Sequence, residues 1–219
     1  MRPPIFIASV TMNTGVDMTC VERLKKYEKE LKKEQGSPGE NIVTVSGLVG
    51  VGTTTVAEIL SDELDFDLVS SGQFFRRMAN EKNMELTEFF EKHREPDDKP
   101  DPDILWDRRA LDLAYTRDNL VLEGRMTGPL LCDIAQARVL VVCEEKEAAK
   151  RFAGREDMNF QEAIRSLQKR NSQDIKTYKD KYGLDVTNRK YYNVVVDNSK
   201  SLVRTKDKVL EKVRQKIDV

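Results

Sequence analysis

The sequence predicts an α/β fold of three layers, in which a parallel sheet of about five strands is flanked by helices. Two observations carry this prediction. Short runs rich in β-branched residues alternate with amphipathic helical segments, and a glycine-rich turn directly follows the first of these runs. The runs are apolar throughout instead of alternating with polar residues, which is typical of parallel strands that are buried on both faces.

Five strands are predicted, at residues 42–46, 67–71, 119–124, 138–143 and 193–198. Seven helices are predicted, at residues 54–64, 72–83, 85–92, 102–116, 146–153, 160–181 and 206–217. The stretch 94–103 is rich in proline and aspartate, so we expect a surface loop there.

Length and charge favour one globular domain without a polyanionic partner. The chain has 219 residues, and its 37 Lys and Arg nearly balance its 38 Asp and Glu, so bulk charge does not indicate a nucleic acid or a membrane as partner. Cys20, Cys132 and Cys143 are widely spaced and the chain has one histidine, which favours a reduced, cytoplasmic protein without structural zinc. No apolar run has the length of a membrane span.

The first part of the chain differs from the rest. Residues 1–40 combine an apolar start, a densely charged stretch of helical character and a glycine-containing breaker. We therefore place the main domain at residues 41–219, and we expect residues 1–40 to be an N-terminal extension of unknown role.

The turn after the first strand has the character of a phosphate-binding loop. Glycines at this spacing let backbone N–H groups converge on an anion at the start of a helix. The candidate nucleotide-binding residues are Gly47, Leu48, Val49, Gly50, Val51, Gly52, Thr53, Thr54 and Thr55. Thr53 stands where the P-loop pattern has lysine, and the hydroxyl of Thr54 is the candidate Mg²⁺ contact. The alternative is an ordinary strand-to-helix turn that binds no ligand.

Four further segments give the chain a family resemblance. The stretches 69–79 (VSSGQFFRRMA), 105–114 (LWDRRALDLA), 120–128 (LVLEGRMTG) and 181–199 (KYGLDVTNRKYYNVVVDNS) resemble, in order and spacing, the archaeal-type (type 2) cytidylate kinases. The resemblance covers about residues 42–200. It implies the fold of the P-loop NTPases with two helical insertions, one that binds the nucleoside monophosphate at about 72–116 and a lid at about 154–179.

The resemblance also implies ligands and an acceptor site. ATP, Mg²⁺ and CMP or dCMP are the expected small-molecule partners of a monomer or weak dimer. The acceptor-binding candidates are Ser71, Arg76, Arg108, Arg109, Glu123 and Arg125. Of Arg108 and Arg109, one is expected to face the acceptor. Glu123 ends a strand at the sheet edge where open α/β folds bind ligands, and its alternative role is a buried structural pair.

The lid is expected to supply the catalytic charges. The catalytic candidates are Arg125, Arg151, Arg155, Arg170 and Asp174. Arg151 and Arg155 are four residues apart and so share one helical face. The alternative for such a stretch is a solvated amphipathic helix. Thr177 stands where the resemblance would place another lid arginine.

Two other functions stay open at this point. An adenylate kinase-like enzyme, or another kinase of the same fold, would share the phosphate loop, because the acceptor site decides the activity. A catalytically weak protein that binds ATP as a switch would explain why threonine replaces a cation at Thr53 and Thr177.

Overall fold

The computed structural model describes residues 20–85, 88, 89, 92, 101–200 and 202–218. Five parallel strands form one sheet in the order β2-β3-β1-β4-β5. They are β1 (Ile42–Ser46), β2 (Asp67–Ser70), β3 (Leu120–Glu123), β4 (Ala137–Val142) and β5 (Val194–Asp197). The predicted strands and the predicted fold class are therefore confirmed, and each strand end lies within one residue of its expected position.

Eight α-helices are described. They are α1 (Cys20–Gln35), α2 (Thr53–Leu64), α3 (Ser71–Glu81), α4 (Pro102–Thr116), α5 (Thr127–Leu130), α6 (Glu145–Glu156), α7 (Phe160–Tyr182) and α8 (Leu202–Arg214). A 3₁₀ turn covers Arg189–Tyr191. Half of the residues of the helix predicted at 85–92 lie outside the described residues. The short α5 was not predicted, because four residues do not display a helical period.

Local capping explains where α4 and α7 begin and where α7 ends. The Asp101 side chain accepts a hydrogen bond from the Asp103 N–H at the start of α4, and proline follows at the first helical position. Asn159 caps α7 in the same way by accepting from the Glu162 N–H. Gly183 ends α7 at a φ of 65°, a left-handed conformation that glycine adopts without steric strain.

The strands carry separate hydrophobic clusters on their two faces, since successive side chains point to opposite sides. On one face, Val43 and Val45 pack with residues of α2 and α8. On the other face, Ile42, Leu120 and Leu122 pack with α1, α4 and the carboxyl-terminal half of α7. Arg170 and Asp174, two of the catalytic candidates, therefore lie on a helix, α7, whose carboxyl-terminal half is anchored to one side of the sheet.

Helix α1 belongs to this second cluster, although its residues were expected in an extension outside the domain. Leu24 and Leu31 are 5% and 7% exposed and pack in the core with α4. Residues 20–35 thus cover part of the domain body, and residues 1–19 lie outside the described residues. Within the described part of the chain, no helix is both long and apolar enough to cross a membrane.

Candidate active site

The glycine-rich segment forms a loop between β1 and α2. Gly50 and Gly52 have φ values of 84° and 89°, which residues with a Cβ adopt only with strain. A Cβ on Gly52 would also lie 2.5 Å from the Asn198 Nδ2 atom. Helix α2 begins at Thr53, and no side chain caps its first turn. The N–H groups of this turn are therefore available to an anion at the helix N-terminus.

Two side chains hold the outer side of this loop. The Val51 carbonyl accepts hydrogen bonds from Asn198 Nδ2 at 2.9 Å and from Arg151 Nη1 at 3.4 Å. The Nη2 atom of Arg151 also donates to the Asn198 carbonyl at 2.7 Å. Arg151, predicted as a lid cation, thus lies against the loop backbone. The contribution of Asn198 was missed, because nothing in its spacing points to the loop.

A buried carboxylate lies beneath the loop at the carboxyl edge of the sheet. Glu123 accepts hydrogen bonds from the hydroxyl of Thr53 at 2.9 Å and from the hydroxyl of Ser70 at 2.5 Å. Its side chain ends β3 and the residue is 9% exposed. Thr53, at the position of the P-loop lysine, therefore contacts a carboxylate of the sheet through its hydroxyl. Ser70 was not predicted as part of this group.

Charged side chains from the turn after β3 and from α7 meet above the sheet edge. Arg125 Nε lies 3.1 Å from Asp174 Oδ2. Burial and the neighbouring Arg125 guanidinium lower the pKa of Arg170, and Asp174 partly offsets this shift. The predicted candidates Arg125, Arg170 and Asp174 therefore come together. Arg155 also acts electrostatically on Arg170, but its own guanidinium pairs with Glu156 at 2.9 Å.

Helix α7 also contacts the phosphate loop directly. The Val49 N–H donates to Asn171 Oδ1 at 2.9 Å, and Leu167 packs against Val49 in a third apolar cluster. Asn171 was missed in the sequence. Its position was readable in principle, because Leu167, Asn171 and Asp174 follow the spacing of one helical face.

The candidate acceptor side of the site is built around Trp106. Its ring packs against Phe74 and Phe75 of α3, with centroid separations of 5.5 and 6.5 Å. A Cβ on Gly124 would lie 3.1 Å from both the Trp106 Nε1 atom and the Ser71 Oγ atom. The chain therefore leaves room at Gly124 between a predicted acceptor residue, Ser71, and the indole.

The arginines predicted to bind the acceptor lie in different environments. Arg76 is exposed on α3. The Arg108 guanidinium lies over the Tyr27 ring, 4.7 Å from its centroid. Successive residues of a helix are about 100° apart, so Arg109 lies about 60° around α4 from Trp106, whereas Arg108 lies about 160° away. Arg109 is therefore the arginine on the Trp106 side of α4.

A polar network ties the start of α4 to the end of α7. Lys181 pairs with Asp101 at 2.6 Å and with Asp103 at 2.7 Å. The Tyr182 hydroxyl donates to Asp107 Oδ2 at 2.6 Å. Burial, together with the charge of Asp103, raises the pKa of Asp107 to about 8 even though the Tyr182 hydrogen bond opposes the shift. Asp107, which belongs to the same motif as Arg108 and Arg109, thus has a structural partner in Tyr182 of α7.

A cavity of about 260 Å³ opens beside the phosphate loop. Its lining includes Gly47, Val51, Arg125, Thr187 and Arg189. Arg189, which lies in the turn before β5, was not predicted. Most of the lining is apolar, and the two arginines, Arg125 and Arg189, supply the positive charge to which an anionic group can bind.

Comparisons with solved structures agree with this fold. An uncharacterized protein from Eubacterium ventriosum superposes with a TM-score of 0.60 at 15% identity, over 80% of this chain and 98% of that one. Shikimate kinase from Acinetobacter baumannii, solved with shikimate, gives a TM-score of 0.51 at 17% identity, over 84% of this chain and 97% of that one. At these identities the likeness shows the fold alone.

Sequence comparisons are more specific. The cytidylate kinase of Methanosarcina acetivorans is 36% identical over 160 residues, which are 72% of this chain and 87% of that protein. The cytidylate kinase of Methanothermobacter thermautotrophicus is 33% identical over 73% of this chain and 96% of its own length. The model of the cytidylate kinase-like family matches residues 42–200, which contain the phosphate loop, α4 and α7. The protein is a kinase that belongs to the cytidylate kinase-like family.

Proposed function

We propose that this protein transfers the γ-phosphate of ATP to CMP or dCMP. The observation that carries the proposal is the meeting of the phosphate loop with the charged residues of α7. The loop presents an uncapped helix N-terminus, and Arg125 and Arg170 lie on the same edge of the sheet. The cytidylate kinases of related sequence support CMP as the acceptor.

The chemistry asks for positioning and charge neutralisation. An oxygen of the acceptor phosphate attacks the γ-phosphorus in line, and the bond from that phosphorus to the bridging oxygen of ADP breaks. The acceptor phosphate is already anionic, so no strong base is required. Backbone N–H groups from Gly50 to Thr54 would hold the phosphates of ATP, and Arg170 and Arg125 would neutralise the charge that spreads over the transferring group.

The remaining candidates support these two arginines. Asp174 contacts Arg125 at 3.1 Å and would orient its guanidinium. Arg151 would act through the loop, because it bonds the Val51 and Asn198 carbonyls. Arg155 lies further out on α6, and it would contact the phosphates only after leaving Glu156.

The residues present suit a magnesium ion. Thr54 is exposed at the start of α2, and Glu123 has carboxylate oxygens under the loop. Mg²⁺ keeps several waters and takes one or two protein oxygens besides the phosphates, so these two groups are sufficient. When bound, the ion would neutralise charge on the β- and γ-phosphates.

The acceptor would lie between α3 and α4. Ser71, Arg76 and Arg109 would bind its phosphate and sugar, and Arg125 would reach it from the end of β3. Arg76 is the clearest candidate for the phosphate of the acceptor, because it forms no ion pair among the described residues. Its neighbour Arg77 pairs with Glu81 at 3.0 Å. A guanidinium with unused donors can bind a phosphate with two hydrogen bonds.

A coupled assay of ADP release with CMP, dCMP, UMP and AMP tests the proposal. We expect turnover with CMP and dCMP and little with AMP. Preference for AMP would favour an adenylate kinase-like enzyme. ATP binding without turnover on any acceptor would favour the weak ATP-binding switch, for which Thr53 in place of lysine is the supporting feature.

A pair of adjacent variants tests the acceptor site. Arg76→Ala should raise the KM for CMP and lower kcat, with the KM for ATP nearly unchanged, because its partner lies on the acceptor alone. Arg77→Ala removes a neighbouring surface arginine and serves as the control. Equal effects of the two variants, or equal weakening of ATP and CMP binding by Arg76→Ala, would remove Arg76 from the site.

A further inference from the structure

Helix α1 lies outside the segment that matches the family, yet it is packed into the domain. The family model covers residues 42–200, and α1 spans Cys20–Gln35. Its buried residues Leu24 and Leu31 share a cluster with α4 and α7. A dispensable tail would leave such residues exposed, so this helix has a structural role in the domain.

The polar contacts of α1 reach α4, the helix that carries the two predicted acceptor arginines. The Tyr27 hydroxyl donates to Asp112 Oδ1, and the Arg108 guanidinium lies 4.7 Å from the Tyr27 ring centroid. Tyr27 therefore binds two residues of α4, one turn apart, through different chemistry. Glu28 interacts with a third residue of α4, Tyr115. Burial and the Glu28 carboxylate raise the pKa of Tyr115.

The same helix also packs against α7. Ile175, Tyr178 and Tyr182, all in the carboxyl-terminal half of α7, belong to the cluster that contains α1. The other half of α7 contacts the phosphate loop through Leu167 and Asn171. Helix α1 therefore contacts both the candidate acceptor helix and the end of α7 that is remote from the loop.

We propose that α1 is a positioning element that holds α4 against the carboxyl-terminal half of α7, and that Tyr27 is its central contact. In this arrangement Arg108 is held by Tyr27, which leaves Arg109, on the Trp106 side of α4, to face the acceptor. The catalytic consequence rests on the proposed function, whereas the packing role does not. The two are therefore tested by separate measurements.

Hydrogen exchange of the full-length chain without ligands tests the packing role. Tyr27→Phe removes the hydroxyl and keeps the ring, and Tyr27→Leu removes both contacts. Val213→Ala is the control, since Val213 is fully buried in the cluster on the opposite face of the sheet. We expect amides of α4 and of residues 175–182 to exchange roughly 5-fold faster or more in the Tyr27 variants than in the control.

Exchange is measured at the same number of degrees below the Tm of each variant, so that general destabilisation does not enter the comparison. If the Tyr27 variants and Val213→Ala change the exchange of α4 and α7 equally, or if only α1 itself exchanges faster, the positioning role is overturned. The Tyr27→Phe variant keeps the test sharp should the leucine variant fail to fold.

Steady-state kinetics tests the catalytic consequence. We expect Tyr27→Phe to raise the KM for CMP by about 5-fold and Tyr27→Leu to raise it further, with the KM for ATP within about twofold, because the phosphate loop is held from the other end of α7. Equal shifts in the two KM values would overturn this consequence. A wild-type chain that does not phosphorylate CMP would reject the proposed function, and the exchange result would still decide the packing role.

Discussion

Replacement of Arg170 by alanine is the perturbation that tests the proposed charge arrangement most directly. In the structure, burial and the neighbouring Arg125 lower the pKa of Arg170, so the two guanidinium groups repel each other. Asp174 lies 3.1 Å from Arg125 and neutralises part of this charge. A bound triphosphate would relieve the remaining repulsion. We therefore expect Arg170 to contribute little to folding and much to phosphate binding in the transition state.

The magnitude follows from the kind of contact. A hydrogen bond between a charged donor and a charged acceptor contributes about 1.5–3 kcal/mol. Each 1.36 kcal/mol corresponds to a factor of ten in rate, so Arg170→Ala should lower kcat/KM by roughly 10- to 100-fold. Relief of the repulsion with Arg125 should leave the Tm of the variant at or above that of the wild type.

The assay is ADP release at varied CMP and saturating ATP, with Arg165→Ala as the control. Arg165 is exposed, as Arg170 is, but it lies about 140° around the same helix from Arg170, so we expect its loss to change kcat/KM by less than about twofold. A second arm adds Thr53→Lys to both arginine variants. A lysine at position 53 should soften the loss caused by Arg170→Ala, because it restores a cation at the phosphate loop. A change below twofold for Arg170→Ala would refute the reasoning.

Two further predictions concern the acceptor side. Gly124→Ala would place a methyl group 3.1 Å from Trp106 Nε1, so it should raise the KM for CMP about 5-fold or more without changing the KM for ATP. The control is Gly154→Ala, whose added methyl group would meet no neighbouring side chain within 4 Å and should change neither KM. The folded state keeps the proton of Asp107 up to about pH 8, whereas the carboxyl ordinarily titrates near 3.8, so the free energy of unfolding should fall as pH rises between these values. In Asp107→Asn, which can still accept from Tyr182, Tm measured from pH 5 to 8 should lack that fall, and an unchanged slope would contradict the burial argument.

Much of the fold could be predicted because its strands are buried on both faces. The apolar runs at Ile42–Ser46 and Ala137–Val142 have no other stable arrangement in a chain that alternates strands and helices. Helix α1 was the main exception. Its sequence is densely charged, and its buried residues Leu24 and Leu31 are seven apart, which gives only a narrow apolar stripe. Nothing in such a stripe indicates which helix it covers.

The site was predictable only where a motif carries the chemistry. The phosphate loop could be read directly, since its glycines must adopt the left-handed backbone found at Gly50 and Gly52. The contacts of Asn171 and Tyr27 could not be read, because the partners of these residues lie 122 and 85 residues away in the chain. The choice between Arg108 and Arg109 likewise required knowing that the Trp106 side of α4 packs against α3 and that Arg108 lies over Tyr27.

The position of the missing lysine has a physical consequence for how charge reaches the phosphates. The Thr53 hydroxyl, at the position of the lysine, donates a hydrogen bond to Glu123. The loop itself therefore brings no side-chain cation to the γ-phosphate. In the proposed mechanism that cation comes from α7, which contacts the loop through Asn171 and carries Arg170 one residue before it. Charge neutralisation would then depend on α7 being seated on the loop. The carboxyl-terminal half of α7 is packed against α4, so contact of α7 with the loop and ordering of α4 would be linked. Transfer of the phosphoryl group to water would then be disfavoured while α4 is not ordered.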